Sequence, residues 1–294
     1  MDINRAVFNT LCNDLSVKKA TILVGPRQVG KTYLLRHLAK NAQDLGKSVA
    51  FFDLEQPGEL AQFNKSEQKI LDMLRNAGDV VFIDEFHYLK NASKLFKALY
   101  DRGDSPKIYA SGSSALEIHK HLKESLAGRK FIYQILPCNL SEISQIIQDQ
   151  PFNYMCSYGG LPGTIHEKDP DLKKKLLAEI LQAYILKDVK SLIREENLRA
   201  FNHLIYLLAQ YQGNLVSIDN LSVEVGMTAK TINSYLEILS LTYVNFPIYS
   251  YSRNLGNELK KSKKFYLYDL GIRNMLLKNF APLNERNDSG TIAE

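Results

Sequence analysis

The spacing of apolar and polar positions changes character midway along the chain. Up to about residue 150, short apolar runs alternate with longer segments in which apolar residues recur every three or four positions. The runs at 21–24, 49–54, 80–83, 107–110 and 131–136 predict strands, and the periodic segments at 32–43, 67–76, 93–101 and 115–126 predict helices. Leu34, Leu35 and Leu38 share one helical face, as do Leu95, Phe96 and Leu99. Unbroken apolar strands that alternate with helices belong to a parallel sheet covered on both faces. The pattern therefore predicts a doubly wound α/β domain.

Beyond residue 150 the pattern becomes mostly helical. A glycine-rich stretch, SYGGLPG at 157–163, precedes an amphipathic segment carrying Leu172, Leu176, Leu177, Ile180, Leu181 and Tyr184. From Asn197 a helix, a polar break and two further helical segments follow, and 244–268 alternates like a β-hairpin. Residues 198–242 suit a helix-turn-helix. Phe201, Leu204, Ile205 and Leu208 form a stripe, 221–225 a short helix, and Gly226 the turn. Thr228 then caps a helix that buries Ile232, Tyr235, Leu236 and Leu239 and exposes Lys230, Thr231, Asn233 and Ser234 at its start. The hairpin would be the wing. These patterns divide the chain into an α/β domain (1–150), a helical linker or lid (151–196) and a winged-helix domain (197–294).

Composition narrows the picture only slightly. The 294 residues are 45% hydrophobic and 23% charged, with a formal charge of +5, which suits a globular protein and neither demands nor excludes a nucleic-acid partner. Cys12, Cys138 and Cys156 are widely spaced and odd in number, against a disulfide framework or zinc ribbon. No apolar run approaches membrane-spanning length and the first residues lack a signal-peptide core, so a cytoplasmic protein without a membrane partner is expected. Arg253, Lys260, Lys261, Lys263, Lys264, Arg273 and Lys278 make 250–278 locally basic. Duplex DNA contacted through 228–234 and 253–264 is one expectation; a protein-interaction switch without DNA is the other.

The chemistry begins at residues 25–32, GPRQVGKT, a complete G-x-x-x-x-G-K-[ST] phosphate loop between a predicted strand and a predicted helix. Gly25 and Gly30 let the backbone wrap so that N–H groups face phosphate oxygens, and the helix start adds its partial positive charge. Lys31 reaches the β- and γ-phosphates of ATP, and the Thr32 hydroxyl ligates Mg²⁺. Pro26, Arg27, Gln28, Val29 and Tyr33 complete the cofactor-binding stretch. The run VVFIDE at 80–85 supplies Asp84 for Mg²⁺ and Glu85 to polarise an attacking water. A glutamate in that place favours hydrolysis over transfer to a small acceptor. Asp53 ends the second strand on the same carboxyl edge. KIYASGSS ends the next strand, where Ser111, Ser113 or Ser114 is placed to sense the γ-phosphate, with Ser113 or Ser111 preferred. These features resemble the class of P-loop ATPases with a strand added between the loop strand and the acidic strand, which implies the sheet order 5-1-4-3-2.

The motifs GPRQVGKT, VFIDEFHYL, YASGSSALEI, ESLAGRKFIYQILPCNLSEI and SYGGLPG together resemble the prokaryotic AAA+-like ATPases of the archaeal-ATPase branch, related to the STAND signalling ATPases. The resemblance spans nearly the whole chain. It implies that Arg129, in LAGRK, lies near the nucleotide as a sensing or finger arginine, acting from a second copy if the protein oligomerises. It also implies a winged helix, followed in the family by a restriction-nuclease-like domain that would start where these 294 residues end.

Overall fold

The computed structural model describes residues 2–103, 105–113, 126–183, 193, 195–249 and 262–294, with the backbone alone at Ser113. The predicted helix at 115–126 therefore lies outside the described residues except at its end, as do Ser114, Tyr184, Arg253, Lys260 and Lys261. Contacts divide the chain into two compact units, Asn4–Leu136 and Pro137–Glu294, the latter joined by Met1–Ile3.

In the Asn4–Leu136 unit, helix α1 (Phe8–Asn13) precedes β1 (Ala20–Gly25), α2 (Lys31–Asp44), β2 (Val49–Asp53), α3 (Pro57–Gln62), α4 (Glu67–Arg75), β3 (Val80–Asp84), α5 (Ala92–Asp101), β4 (Lys107–Ser113) and β5 (Lys130–Gln134). The strands form one parallel sheet in the order β2-β3-β4-β1-β5, as the sequence predicts. Every residue of β1 and β3 is buried, which is why both read as unbroken apolar runs. Helix α2 buries Leu34, Leu35 and Leu38, and Phe51, Phe82 and Tyr109 stack across three neighbouring strands. The first residues are tied in as well. The Tyr109 hydroxyl donates to the Leu11 carbonyl at 2.6 Å, and Thr21 donates to the buried Asp14 carboxylate at 2.9 Å.

The second unit opens with helices Leu140–Ile143, Pro151–Tyr158, Pro162–His166 and Pro170–Leu181. Helix Leu198–Gln210, β6 (Leu215–Val216), helices Ile218–Val225 and Ala229–Leu241, β7 (Asn245–Ile248), β8 (Lys263–Leu267) and helices Leu270–Leu277 and Ser289–Ala293 follow. The three strands pair antiparallel in the order β6-β8-β7, so the expected polar break contains a strand that completes the hairpin's sheet. Ile232, Tyr235, Leu236 and Leu239 are buried with Phe201, Leu204, Ile205 and Leu208 in one cluster. The Thr228 side chain accepts from Thr231 N, and Gly226 turns the chain at φ 75°.

Contacts divide the chain at 136/137 and group the SYGGLPG stretch with the later helices. The reason is a buried carboxylate. Asp269 accepts from Ile272 N at 3.0 Å, starting its own helix, and from Gly160 N at 2.8 Å. Asn274 donates to the carbonyls of Cys156 and Ser157 at 2.8 and 2.9 Å. Gly159 sits at φ 75°, where a Cβ would fall 2.2 Å from the Asp269 carboxylate, so the SYGGLPG stretch is built to receive that side chain. Burial pushes the Asp269 carboxyl up to about 6, against the three backbone N–H groups that favour its charge.

Nearby, Arg273 and Arg286 are both buried and share Asp288, each at 2.8 Å. Arg273 is thereby withdrawn from the basic surface that the sequence suggests. Asp288→Asn leaves two buried guanidiniums without their counter-charge and should lower the unfolding free energy by about 3 kcal/mol, measured by urea denaturation. The Arg286 hydrogen bond, above all, holds the Asp288 carboxyl at about 2 rather than 3.8. Its contribution is thus complete above pH 3.8 and lost as pH falls toward 2, so the variant should show a shallower acid limb over that window.

Candidate phosphate-binding site

Strand β1 leaves the carboxyl edge of the sheet at Gly25, with φ 153°, and a Cβ there would lie 2.0 Å from the Ile135 carbonyl oxygen. Gln28 and Gly30 also take positive φ, 61° and 91°, and α2 begins at once on Lys31. The loop thus curls tightly from strand end to helix start, the arrangement that presents backbone N–H groups and a helix dipole to an anion. The left-handed Gln28 is a turn that the glycine spacing did not foretell.

Lys31 is buried, and its Nζ donates to the carbonyls of Gly25 and Pro26 at 3.1 and 2.7 Å. Burial lowers its pKa to about 8, while Glu85 and Asp84 raise it and Arg27 lowers it further. A lysine so held is a desolvated positive charge at the mouth of the loop, facing both carboxylates. Thr32 is half-buried in the first turn of α2, and Tyr33 is exposed and stacks on His37 with ring centroids 4.1 Å apart.

Asp84 ends β3, buried, and accepts hydrogen bonds from the Ser111 hydroxyl and from Glu85 N, the latter at 3.1 Å. Ser111 is thus brought to Asp84, whereas Ser114 and the side chain of Ser113 lie outside the described residues. Ser113 lies opposite Gly25 in the β1–β4 register. Asp53 lies opposite Asp84 in the β2–β3 register, with one carboxylate oxygen accepting from Glu55 N at 3.1 Å. Glu85 takes φ 51°, an uncommon conformation for a residue with a side chain, which turns the chain off the strand end.

Arg129 is not brought to this edge. Its carbonyl accepts from Ala20 N, where β1 begins, and its Nε pairs with Asp101 at 2.8 Å. The length of β1, about 16 Å at 3.3 Å per residue, separates it from the loop of its own chain. Within its own chain Arg129 therefore lies away from the loop, and the sequence leaves open whether it serves its own site or that of a second copy.

Two neighbours of the site escaped the sequence reading. Arg5, buried, donates from Nη1 to the Val29 carbonyl at 2.7 Å and from Nη2 to the Leu136 carbonyl at 2.6 Å. His87 places Nδ1 3.0 Å from a Glu85 carboxylate oxygen, off the line of a hydrogen bond. The DEFH spacing could have signalled His87; nothing local marks Arg5.

In the second unit, Lys230, Asn233 and Ser234 are exposed at the start of helix Ala229–Leu241 and Thr231 is half-buried. Asn233 donates back to the Ala229 carbonyl at 3.0 Å, Lys264 pairs with Glu294, and Lys263 lies 4.7 Å from the Tyr249 ring centroid.

Residues 17–144 match the model of an AAA domain, and residues 149–283 match that of a domain of unknown function, DUF8612. An uncharacterized protein of Mycobacterium tuberculosis is 23% identical over 257 residues, covering 87% of this chain and 55% of the relative. An uncharacterized protein of Methanocaldococcus jannaschii is 26% identical over 265 residues, covering 81% and 59%. The chain thus spans little more than half the length of these curated relatives. Among solved structures, AMPPCP-bound DnaA from Aquifex aeolicus aligns with a TM-score of 0.41 at 13% identity, over 80% of this chain and 86% of that one. Cdc6p from Pyrobaculum aerophilum aligns at 0.34 and 13%, over 91% and 90%. The domain match, the loop and the strand order make the first unit a P-loop domain of the AAA type. Among the described residues no helix is long and apolar enough to cross a membrane.

The loop's geometry is testable without a ligand. Gly25→Ala must push against the Ile135 backbone, whereas Gly163→Ala meets nothing within 4 Å. The first should lower stability by about 3 kcal/mol or more and the second by less than about 0.5, by urea denaturation.

Proposed function

We propose that the chain binds ATP with Mg²⁺ at residues 25–33 and hydrolyses it slowly. The observation that carries this reading is the convergence of a buried Lys31, the Asp84–Ser111 pair and Glu85 on one end of one sheet. Lys31 would leave the carbonyls of Gly25 and Pro26 for the β- and γ-phosphates. Thr32 and Asp84 would hold the magnesium ion, with phosphate oxygens and water filling its other positions, and Mg²⁺ would neutralise charge on the phosphates. No larger set of carboxylates is needed for that ion. Glu85 would accept hydrogen bonding from the attacking water, and His87 stands within reach of the same carboxylate. Arg129, one strand length from its own loop, would act only from a second copy, as the positive finger beside the leaving charge.

The test is ATP binding and turnover across a protein-concentration series. Lys31→Ala should lose binding. Glu85→Gln should retain ATP and lose turnover by about a hundredfold or more. Turnover per chain should rise with concentration and fall on Arg129→Ala. Parental turnover in both Lys31→Ala and Glu85→Gln would overturn the site.

The second unit we read as a winged-helix module that the nucleotide controls. Its helix–strand–helix–helix–strand–strand order and the capped helix at Thr228 support that reading. Exposed Lys230, Asn233 and Ser234 favour contact with duplex DNA. The alternative is a protein-interaction switch, favoured by Arg273 and Lys264 being already paired. Duplex binding that weakens with salt and with joint substitution of Lys230 and Lys263 supports DNA. No binding at low salt leaves the protein-partner reading.

A further inference from the structure

The peptide between Val29 and Gly30 is planar and trans, so its C=O and N–H point in opposite directions. Arg5 Nη1 holds the Val29 carbonyl at 2.7 Å. It thereby fixes where the Gly30 N–H points: away from Arg5. The same guanidinium holds the Leu136 carbonyl at 2.6 Å. Leu136 is the last residue of the Asn4–Leu136 unit, and Arg5 is its second, so both positions adjoin the points where the chain passes to the other unit, 3/4 and 136/137. Next to Leu136, Ile135 N donates to the Val24 carbonyl at 2.7 Å, and the Ile135 carbonyl closes over Gly25. One buried cation therefore joins the phosphate loop to both chain crossings.

We propose that Arg5 is a positioning residue that aims the phosphate loop and makes its occupancy felt at the two crossings. The first part depends only on the geometry of the nucleotide-free loop; the second rests on the nucleotide-binding reading above. A guanidinium suits the task because it is planar, carries several fixed donors and stays charged, so it spans two carbonyls at once. A lysine at the same place keeps the charge but presents a single ammonium on a flexible stem. An anion drawn to the loop amides moves the Val29–Gly30 peptide. Through Arg5 that movement reaches Leu136, with no side chain of the second unit required.

The experiment is backbone hydrogen exchange on the full chain, parent against Arg5→Lys and Arg5→Ala, without nucleotide and with Mg²⁺–ADP. Without nucleotide, exchange should quicken in both variants at 26–31 and at 134–138 together. Quickening confined to residues 2–7 would overturn the brace. With Mg²⁺–ADP, the parent should gain protection at 26–31 and also at 134–138. Arg5→Lys should bind ADP about tenfold more weakly, keep the gain at 26–31 and lose the gain at 134–138. Parental affinity and a parental pattern in Arg5→Lys sink the coupling. If the parent itself binds no ADP, the nucleotide reading and the coupling fall together, while the nucleotide-free comparison still decides the brace. Should Arg5→Ala not fold, Arg5→Lys alone carries both comparisons.

Discussion

A loop that turns its amide hydrogens inward must turn carbonyls elsewhere, and each buried carbonyl needs a donor. The rest of the first unit follows from that constraint. Carbonyls at the start of the loop, Gly25 and Pro26, are held by Lys31. The carbonyl near its end, Val29, is held by Arg5, and that of Gly30 by Leu34 N within the helix. Two cations brace one loop from its two ends, and they differ in consequence. Lys31 is a point charge whose bonds an incoming phosphate can replace. Arg5 is a fork whose second bond is committed to Leu136.

This arrangement also accounts for the placement of the carboxylates. Lys31 is buried, and desolvation is the largest effect in lowering its pKa to about 8. Asp84 and Glu85 favour its charged form, so the carboxylates proposed for the metal ion and the water also keep the lysine cationic. Ser111 fixes Asp84 from the neighbouring strand, and the left-handed turn at Glu85 keeps the second carboxylate from following the strand direction.

The sequence disclosed those parts whose physics is local. Runs buried on both faces, such as 80–83, read directly as parallel strands, and a contiguous loop motif announced its own chemistry. Chain separation hid the rest. Arg5 lies 24 residues from Val29 and 131 from Leu136, and a single arginine among MDINRAVF carries no periodic signal. Asp269 is 109 residues from Gly160, a pairing that no local pattern reveals. Strand β6 has two residues, too short for alternation to register. Arg129 is a different case: its motif is clear, but a motif names a neighbour without saying whether that neighbour belongs to the same chain.

The buried polar groups of the second unit extend the same reasoning from one loop to a whole domain. Asp269, Asn274, Arg273, Arg286 and Asp288 join segments from 156 to 288 through bonds to backbone carbonyls and amides rather than through apolar contact alone. Apolar packing tolerates sliding, because many arrangements bury similar area. A carboxylate that must meet Gly160 N and Ile272 N at once tolerates almost none. The chain crosses between the two units at 3/4 and 136/137. Arg5 and Leu136 adjoin those places, and the guanidinium between them ends on the phosphate loop.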